Sequence, residues 1–279
     1  MAVTVRTRFA PSPTGHLHLG HAFSALNAYH YAKRAAGRFI LRIEDIDQGR
    51  CRPEFTQAIY EDLSWLGLDW ESPVRVQSQH MADYHAALDR LRGLGLIYRC
   101  FKTRKAIAAD IGRAPHALGQ AYSSEPLPPD QEAQFLAQGM SFAWRLSLAA
   151  ARHHLGPAYD ALTFRDEVQG MVTAQPQLAG DIVLARKDLG VAYHLAVVVD
   201  DALQGITHVT RGEDLFEATG VQRLLQTLLG LPTPTYCHHR LLCGPDGQRL
   251  AKRDRAQTLR ALRDIGVEPG DLRRQLGFD

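Results

Sequence analysis

The sequence lacks the features that would assign it to several specialised classes of protein. It has four cysteines in 279 residues, too few and too widely separated for a disulfide scaffold. No stretch approaches the roughly 20 apolar residues that a membrane helix needs, and no apolar signal segment stands at the N-terminus. We therefore expect a cytoplasmic protein in a reducing compartment, with no membrane partner.

An excess of charge of one sign is also missing. Lysine and arginine total 32 against 30 aspartates and glutamates, a formal net charge of +2. Such a small net charge does not by itself indicate nucleic-acid binding, because phosphate contacts depend on local basic charge. The densest basic run comprises Arg249, Arg253, Arg255 and Arg260, and a solvated surface explains it at least as well. No apolar excess indicates self-association, so a monomer is expected.

The N-terminal third predicts a strand, a helix and a second strand. Residues 2–10 are rich in β-branched side chains, residues 20–36 repeat apolar side chains at helical spacing, and residues 39–44 are again strand-like. Gly37 is the expected C-cap of the helix. This order is typical of an α/β fold with a doubly wound parallel sheet, in which a ligand binds where the first strand meets the helix.

The length corresponds to about two domains, or to one domain with a large insertion. We expect residues 1–100 and 176–240 to form the two halves of a Rossmann-like domain, with a strand at 96–100 continuing its parallel sheet. Residues 101–175, where prolines interrupt weak helical patterns, are the expected inserted α+β subdomain. Residues 241–279 would carry a glycine-bracketed loop and two short helices.

Histidines cluster at the start of the predicted helix, after a Pro/Gly turn at 11–15. His18 and His21 are three apart, so on a helix they face the same way. The unpaired N–H groups and the positive dipole end of a helix N-terminus suit a phosphate. A polar turn explains an isolated HxxH about equally well. Neither GxGxxG nor GxxxxGK[ST] follows the strand, so the usual dinucleotide and P-loop motifs are absent.

A second candidate element is the loop at 244–254, which ends in a basic cluster containing Lys252. A lysine on a loop can be directed at charge that develops on a phosphate in a transition state. On its own, a Lys/Arg run is more often a solvated surface.

Taken together, five separated motifs resemble the catalytic core of glutamyl-tRNA synthetases, in the order that this family has. They are RFAPSPTGHLHLGH at 8–21, LRIEDID at 41–47, VVVDD at 197–201, RGED at 211–214 and RLAKR at 249–253. HLGH resembles the HIGH motif, and RLAKR resembles the KMSKS motif. The resemblance implies a class I synthetase catalytic core, hence a ligase that activates glutamate with ATP to glutamyl adenylate.

The resemblance also implies roles for individual residues. The catalytic residues would be His18, His21 and Lys252, and the ATP site would consist of His18, Gly20, His21 and Lys252. The glutamate site would consist of Arg8, Phe9, Ala10, Pro11, Ser12, Glu44, Tyr193 and Arg211. In this site Glu44 would hold the α-ammonium, while Arg8, Tyr193 and Arg211 would donate to carboxylates.

Structural roles remain as alternatives for two of these residues. Arg211 could instead form an ion pair with Glu213 or Asp214. Glu44 could simply pair with Arg42 or Arg50.

Full-length glutamyl-tRNA synthetases continue beyond the KMSKS element into helical domains that read the anticodon. Few residues follow Asp254 here, so no anticodon-binding domain is expected. The chain therefore resembles a short paralogous family, the glutamyl-queuosine tRNA(Asp) synthetases. These enzymes activate glutamate without tRNA and transfer it to the queuosine base in the anticodon loop of tRNA(Asp). The implied partners are L-glutamate, ATP and queuosine-containing tRNA(Asp).

The short family often carries a cysteine-rich zinc site, which is degenerate here. Cys100, with only His116 and Tyr122 as further candidates, falls short of the four ligands of a tetrahedral site. We expect no zinc, with Cys100 buried as an apolar residue, and Cys237 and Cys243 form no recognisable ligand pair.

Magnesium is expected only as the ion carried by ATP. Four aspartates are acidic candidates for binding it. Asp45 and Asp47 are expected to bond neighbouring arginines, and Asp200 and Asp201 to cap a turn.

Three other functions compete with this one. A truncated glutamyl-tRNA synthetase would charge a tRNA 3′ end. A non-catalytic RNA-binding remnant need not keep a full set of site residues. A small-molecule adenylylating enzyme would lack paired arginines for a dicarboxylate substrate.

Overall fold

The computed structural model describes residues 4–103, 106–107, 122–186, 190–242 and 257–278. The strands are β1 (Arg6–Phe9), β2 (Arg38–Ile43), β3 (Glu71–Val76), β4 (Ile97–Cys100), β5 (Ala143–Leu146), β6 (Thr163–Asp166), β7 (Gly170–Thr173), β8 (Val183–Arg186), β9 (Gly190–Val191), β10 (His208–Gly212) and β11 (Thr235–His239). The principal helices are α1 (Leu19–Arg34), α2 (Pro53–Trp65), α3 (Met81–Gly93), α4 (Pro129–Ala137), α5 (Leu148–Leu155), α6 (Pro157–Asp160), α7 (Tyr193–Leu203), α8 (Ala218–Leu229), α9 (Leu259–Asp264) and α10 (Pro269–Leu276).

Two sheets with parallel strands lie side by side and confirm the doubly wound α/β prediction. One has the order β1-β2-β3, and the other has the order β10-β11-β6-β7, in which β7 is antiparallel. The Thr207 N–H donates to the Arg6 carbonyl over 3.0 Å, which brings β10 next to β1. The chain therefore winds outward in opposite directions from β1 and β10. Ligands of such folds bind at this switch point, beyond the carboxyl ends of the strands.

A third sheet is antiparallel and has the order β4-β5-β8-β9. β4 had been expected to continue the parallel sheet, and this expectation is wrong, because Ile97 pairs with Leu146 of β5 in antiparallel register. A four-residue apolar strand carries no periodic signal that identifies its partner. The third sheet combines β4, which precedes the expected boundary at 100, with β5 from the expected insertion and with β8 and β9, which follow the expected boundary at 175. The division of the sequence into four segments stays a prediction.

Helix α1 packs on β1 and β2 through small side chains. Its buried face includes Ala22, Ala25 and Ala28, which allow a close approach between helix and sheet. Gly37 was expected to cap this helix, but the C-cap is Ala35. Glycine is required at 37 because a Cβ there would lie 2.3 Å from the carbonyl oxygen of Val5.

Helix α7 is buried along most of its length, including two carboxylates. Asp200 and Asp201 were expected to cap a turn, and this is wrong, because both lie inside the helix and face arginines of the parallel sheet. Arg42 of β2 is fully buried and contacts both carboxylates. A buried guanidinium needs such partners, since an unpaired charge in the interior is costly. No helix among the described residues is long and apolar enough to cross a membrane.

Candidate active site

A cavity of about 560 Å³ lies at the switch point, between the carboxyl ends of the parallel strands and the N-terminus of α1. Its lining brings together every predicted site residue within the described part of the chain: Arg8, Phe9, Ala10, Pro11, Ser12, His18, Gly20, His21, Glu44, Tyr193 and Arg211. Lys252 lies outside the described residues, as do Arg249, Arg253 and Arg255. Arg260, the last member of the basic run, lies exposed on α9.

His18 and His21 form a reciprocal cap at the start of α1. The Gly20 N–H donates to Nδ1 of His18 over 3.1 Å, and the His18 N–H donates to Nδ1 of His21 over 3.2 Å. The ring centroids lie 3.8 Å apart. Because a backbone N–H can only donate, each Nδ1 is an acceptor, and each neutral ring carries its proton on Nε2. A pair of Nε2–H donors beside a helix N-terminus is suited to phosphate oxygens.

Gly20 allows the His18 ring to fold over the first turn of α1. A Cβ at this position would lie 3.0 Å from Cε1 of that ring. A larger residue would therefore push the imidazole away from the capping position.

The described residues on either side of the segment that holds Lys252 lie close to the cavity and to the histidine pair. Leu242, just before it, lines the cavity. After it, the Leu259 N–H donates to the Leu17 carbonyl over 2.8 Å, next to the histidine pair. Both flanks of the lysine loop therefore lie at the same end of the sheet as the two histidines.

Arg8 lies near the carboxyl end of β1 and lines the cavity. It is 5% exposed. Its Nε donates to Oδ1 of Asp201 over 3.1 Å, and its Nη1 donates to the Thr210 carbonyl over 3.4 Å. A guanidinium has five N–H groups. Within the described residues, Arg8 thus keeps three of them for a ligand, enough for a bidentate contact with a carboxylate.

Glu44 follows β2 and lies buried in the cavity wall. Its Oε1 accepts from Nε and Nη2 of Arg42 over 3.3 and 3.1 Å, so the structural ion pair considered above exists. Its Oε2 accepts no hydrogen bond from the described residues and can face a cation. Burial raises the pKa of Glu44, although Arg42 and Arg8 oppose this shift. A bound ammonium would favour the ionised form.

Arg211 of β10 is also 5% exposed and is held by neutral groups. It donates over 2.7 to 3.2 Å to His238 Nε2, Gln222 Oε1, Thr219 Oγ1 and the Leu215 carbonyl. Neither Glu213 nor Asp214 is among the described partners of Arg211, so the alternative ion pair is not found. One N–H on Nη1 is left for a ligand.

Sequence reasoning missed the groups behind the two arginines. These are Asp201, which holds Arg8, and the pair of His238 and Asp166, which lies behind Arg211. The VVVDD motif could have indicated Asp201. An acid that directly follows an apolar run is a candidate partner for a buried arginine, because a buried arginine requires an acidic partner. No local signal indicates the other two.

The acidic magnesium candidates are engaged within the protein. Asp47 accepts from Arg50 Nε over 2.6 Å, as predicted. Asp45 does not bond an arginine as expected but accepts from the N–H and hydroxyl of Ser78 over 2.8 and 2.6 Å. Among the described residues, no group of three or more His, Cys, Asp or Glu side chains could hold a metal ion.

Cys100 is buried, as predicted, and it packs beside Tyr98 and Tyr122. His116 and Cys243 lie outside the described residues. That this protein binds no zinc stays a prediction.

Comparison with known proteins identifies the family. Residues 4–277 match the family described as tRNA synthetases class I (E and Q), catalytic domain. The chain is 45% identical to a glutamyl-Q tRNA(Asp) synthetase of Rhodobacter capsulatus, over 98% of this chain and 99% of that protein. It is 43% identical to another of Symbiobacterium thermophilum, over 94% of this chain and 82% of that protein.

A solved structure adds independent support for the fold. A glutamate tRNA ligase from Elizabethkingia meningosepticum, crystallised with its amino acid, superposes with a TM-score of 0.80 at 27% identity. The match covers 98% of this chain but only 60% of that one. These findings show that the chain belongs to the class I glutamyl and glutaminyl tRNA synthetase family, among the glutamyl-Q tRNA(Asp) synthetases.

Proposed function

We propose that this protein activates L-glutamate with ATP in the absence of tRNA and transfers the glutamyl group to queuosine in the anticodon loop of tRNA(Asp). Membership of the family makes the protein a glutamate-activating ligase that acts on tRNA. The observation that carries the proposal is one cavity that combines two buried arginines, one buried glutamate and a histidine pair at a helix N-terminus.

The charges of the cavity match those of glutamate. Arg8 and Arg211 would bind its carboxylates, and Glu44 would bind its α-ammonium. Tyr193, at the start of α7, would add a hydroxyl donor. Glutamine would present an amide NH₂ to an arginine N–H, a contact between two donors that disfavours this substrate.

Activation is an in-line displacement at the α-phosphorus of ATP. An oxygen of the glutamate α-carboxylate forms the new P–O bond, and the bond to the pyrophosphate oxygen breaks. The Nε2–H groups of His18 and His21 would donate to phosphate oxygens, and Lys252 would neutralise charge on the leaving pyrophosphate. Mg²⁺ would enter as part of the ATP substrate. The protein contributes positioning and electrostatic stabilisation in this step.

A second cavity supports the transfer step. It has a volume of about 470 Å³ and shares Ser12, Thr14, Glu44 and Tyr193 with the first. A hydroxyl of queuosine entering there would attack the carbonyl carbon of glutamyl adenylate, releasing AMP and forming an ester. RNA loops present unstacked bases, which suit a pocket of this kind. The reaction requires ATP and tRNA, so we propose a cytoplasmic location, and we propose that the enzyme acts as a monomer.

The activation step is tested by exchange of labelled pyrophosphate into ATP. We expect exchange that depends on glutamate, proceeds without tRNA and is weak with glutamine. Exchange that requires added tRNA(Glu) would instead favour charging of a tRNA 3′ end. Binding of RNA without any glutamate-dependent exchange would favour a non-catalytic RNA-binding remnant.

A further inference from the structure

A buried histidine and aspartate lie in line behind Arg211. In the parallel register of β10 and β11, His238 is paired with Arg211. His238 Nε2 lies 3.1 Å from Nε of Arg211, and His238 Nδ1 lies 2.6 Å from Oδ2 of Asp166, at the end of β6. His238 is 6% exposed and Asp166 is 1% exposed. Three neighbouring strands therefore contribute one continuous hydrogen-bonded line.

This geometry fixes the tautomer of His238. The Nε–H of arginine can only donate, so Nε2 of His238 must be the acceptor and its proton must be on Nδ1. Asp166 accepts that proton in a hydrogen bond. Burial opposes ionisation of Asp166, but its hydrogen bonds from His238 and from the Gln169 and Val168 N–H groups prevail and hold its pKa below the ordinary value. Asp166 is thus a fixed acceptor for the Nδ1 proton.

The tautomer decides where the guanidinium of Arg211 can lie. With Nε2 as acceptor, four of the N–H groups of Arg211 are satisfied by described protein atoms, one N–H on Nη1 remains, and Arg211 lines the cavity. With the other tautomer, Nε2–H would face Nε–H, two donors would oppose each other, and the guanidinium would have to turn.

We propose that Asp166 and His238 are positioning residues that aim the Nη1–H of Arg211 at the side-chain carboxylate of glutamate, the group that glutamine lacks, and thereby set the preference for glutamate over glutamine. This inference rests on the proposed role of Arg211 in glutamate binding. The Asp166 carboxylate selects the His238 tautomer, and the tautomer holds the guanidinium.

Substitution of Asp166 by asparagine tests the first link. The carbonyl of the new amide can still accept from the backbone, but its NH₂ faces Nδ1 of His238 and requires the proton on Nε2. In D166N we expect the glutamate KM to rise about tenfold, the cost of one charge-assisted hydrogen bond, with the ATP KM near the wild-type value. Glutamine should inhibit D166N as well as it inhibits the wild type, so discrimination between the two amino acids narrows.

Two substitutions of His238 test the second link. The amide oxygen of glutamine can take the place of Nε2, whereas asparagine reaches only as far as Nδ1. His238→Gln should therefore keep the glutamate KM within about threefold of wild type, while His238→Asn should match D166N.

Asp181→Asn is the matched control. Asp181 is 2% exposed, and it accepts from the Leu148 N–H and the Tyr98 hydroxyl in the region of the antiparallel sheet. It should lose stability as D166N does, without the change in glutamate KM. If D166N and Asp181→Asn alter the glutamate KM equally, the effect is structural and the inference is wrong.

Nitrogen NMR of histidine-labelled enzyme reads the tautomer directly. The resonances assigned through His238→Gln should report Nδ1–H in the wild type and Nε2–H in D166N. An Nε2–H tautomer in the wild type, or an unchanged one in D166N, would overturn the inference. Arg211→Met separates the two proposals: if it leaves the glutamate KM unchanged, the proposed role of Arg211 itself fails. If it raises the KM while D166N does not, only the positioning role fails.

Discussion

Oδ1 of Asp201, on the buried side of α7, lies 3.1 Å from Nε of Arg8, at the carboxyl end of β1. The same oxygen accepts from Nη1 of Arg42 over 2.9 Å. One carboxylate thus holds both an arginine that faces the cavity and an arginine that holds Glu44. The direction of Arg8 depends on a helix that follows almost two hundred residues later in the chain.

Asp201→Asn should disturb glutamate binding more than ATP binding. The amide keeps the size of the side chain but loses the charge that orients Arg8 and compensates Arg42. We expect the glutamate KM to rise by about tenfold and the free energy of unfolding to fall by about 3 kcal/mol, because a buried charge loses its partner. Pyrophosphate exchange and urea unfolding measure the two effects.

Asp200→Asn is the comparison for this variant. Asp200 accepts from Arg75 and Tyr84 and makes no hydrogen bond to Arg8. Asp200→Asn should lower the free energy of unfolding by a similar amount but change the glutamate KM less than Asp201→Asn does. Equal effects of the two variants on KM would contradict a specific link between Asp201 and Arg8.

His18 caps α1, and different substitutions should separate this role from its proposed contact with an ATP phosphate. His18→Asn retains a favourable N-cap for α1 but removes the Nε2–H donor, whereas His18→Ala removes both. Both variants should slow pyrophosphate exchange, and only the alanine variant should lose about 1 kcal/mol of stability. Normal exchange in His18→Asn would show that the ring serves only as a cap.

Acid should weaken glutamate binding through Glu44. Burial raises the pKa of this carboxyl group, and only its ionised form can pair with the α-ammonium. As pH falls, the glutamate KM should therefore begin to rise at a higher pH than an ordinary carboxyl group would require. The pH profile of the glutamate KM at saturating ATP checks this. Glu44→Gln should bind glutamate weakly with no such acid limb, and an unchanged limb in that variant would assign it to another group.

Lys252→Ala should act on chemistry and leave substrate binding intact. A cation that neutralises pyrophosphate in the transition state contributes to kcat, since the ground state gains little from it. We expect slower adenylate formation with nearly unchanged glutamate affinity, measured by single-turnover kinetics and equilibrium binding. Lys33→Ala, on the exposed side of α1, is the control. A large loss of glutamate affinity with normal turnover would contradict this role.

Asp62 should make stability depend on pH. It is fully buried on α2, its Oδ1 lies 3.7 Å from Nη1 of Arg263, and neither oxygen accepts a hydrogen bond from the described residues. Burial raises the pKa of Asp62 to about 6, with Arg263 and Arg260 opposing and Glu61 and Asp264 adding to the shift.

The pKa of Asp62 is higher in the folded state than in the unfolded state. Protonated Asp62 therefore contributes to stability at low pH, and this contribution is lost as pH rises through about 6. Asp62→Asn should gain stability relative to wild type as pH rises, by about 1.4 kcal/mol for each unit of pKa difference. Urea unfolding of both proteins at about pH 5 and at about pH 8, on either side of this pKa, measures the difference. A difference between the proteins that stays constant with pH would contradict the assignment.

The start of the fold could be predicted because its signals are local. Helix α1 was expected at 20–36 and lies at Leu19–Arg34, and the strands on either side are close to their predicted positions. Helix α7 was not predicted. The residues before Asp200 form a continuous apolar run without alternating polar positions. Hydrophobic periodicity therefore cannot distinguish a buried helix from a buried strand there.

Sequence motifs also placed the cavity residues, but not the groups that orient them. His238 lies 27 residues from Arg211 and 72 residues from Asp166, and the pairing of β11 with both neighbouring strands brings the three together. Which residues meet in this way depends on the order of the strands in the sheet. Residues 163–166 fell within the expected insertion and no strand was predicted there, so the alignment of β6 with β11 could not be inferred from local patterns.

The most direct test of the proposed activity is the site at which labelled glutamate is attached. Purified enzyme, ATP and labelled glutamate are incubated with queuosine-containing tRNA(Asp), with the same tRNA trimmed of its 3′-terminal adenosine, and with tRNA(Asp) that lacks queuosine. We expect equal labelling of the first two tRNAs and no labelling of the third. Labelling that is lost with the terminal adenosine, or that persists without queuosine, would contradict the proposed activity.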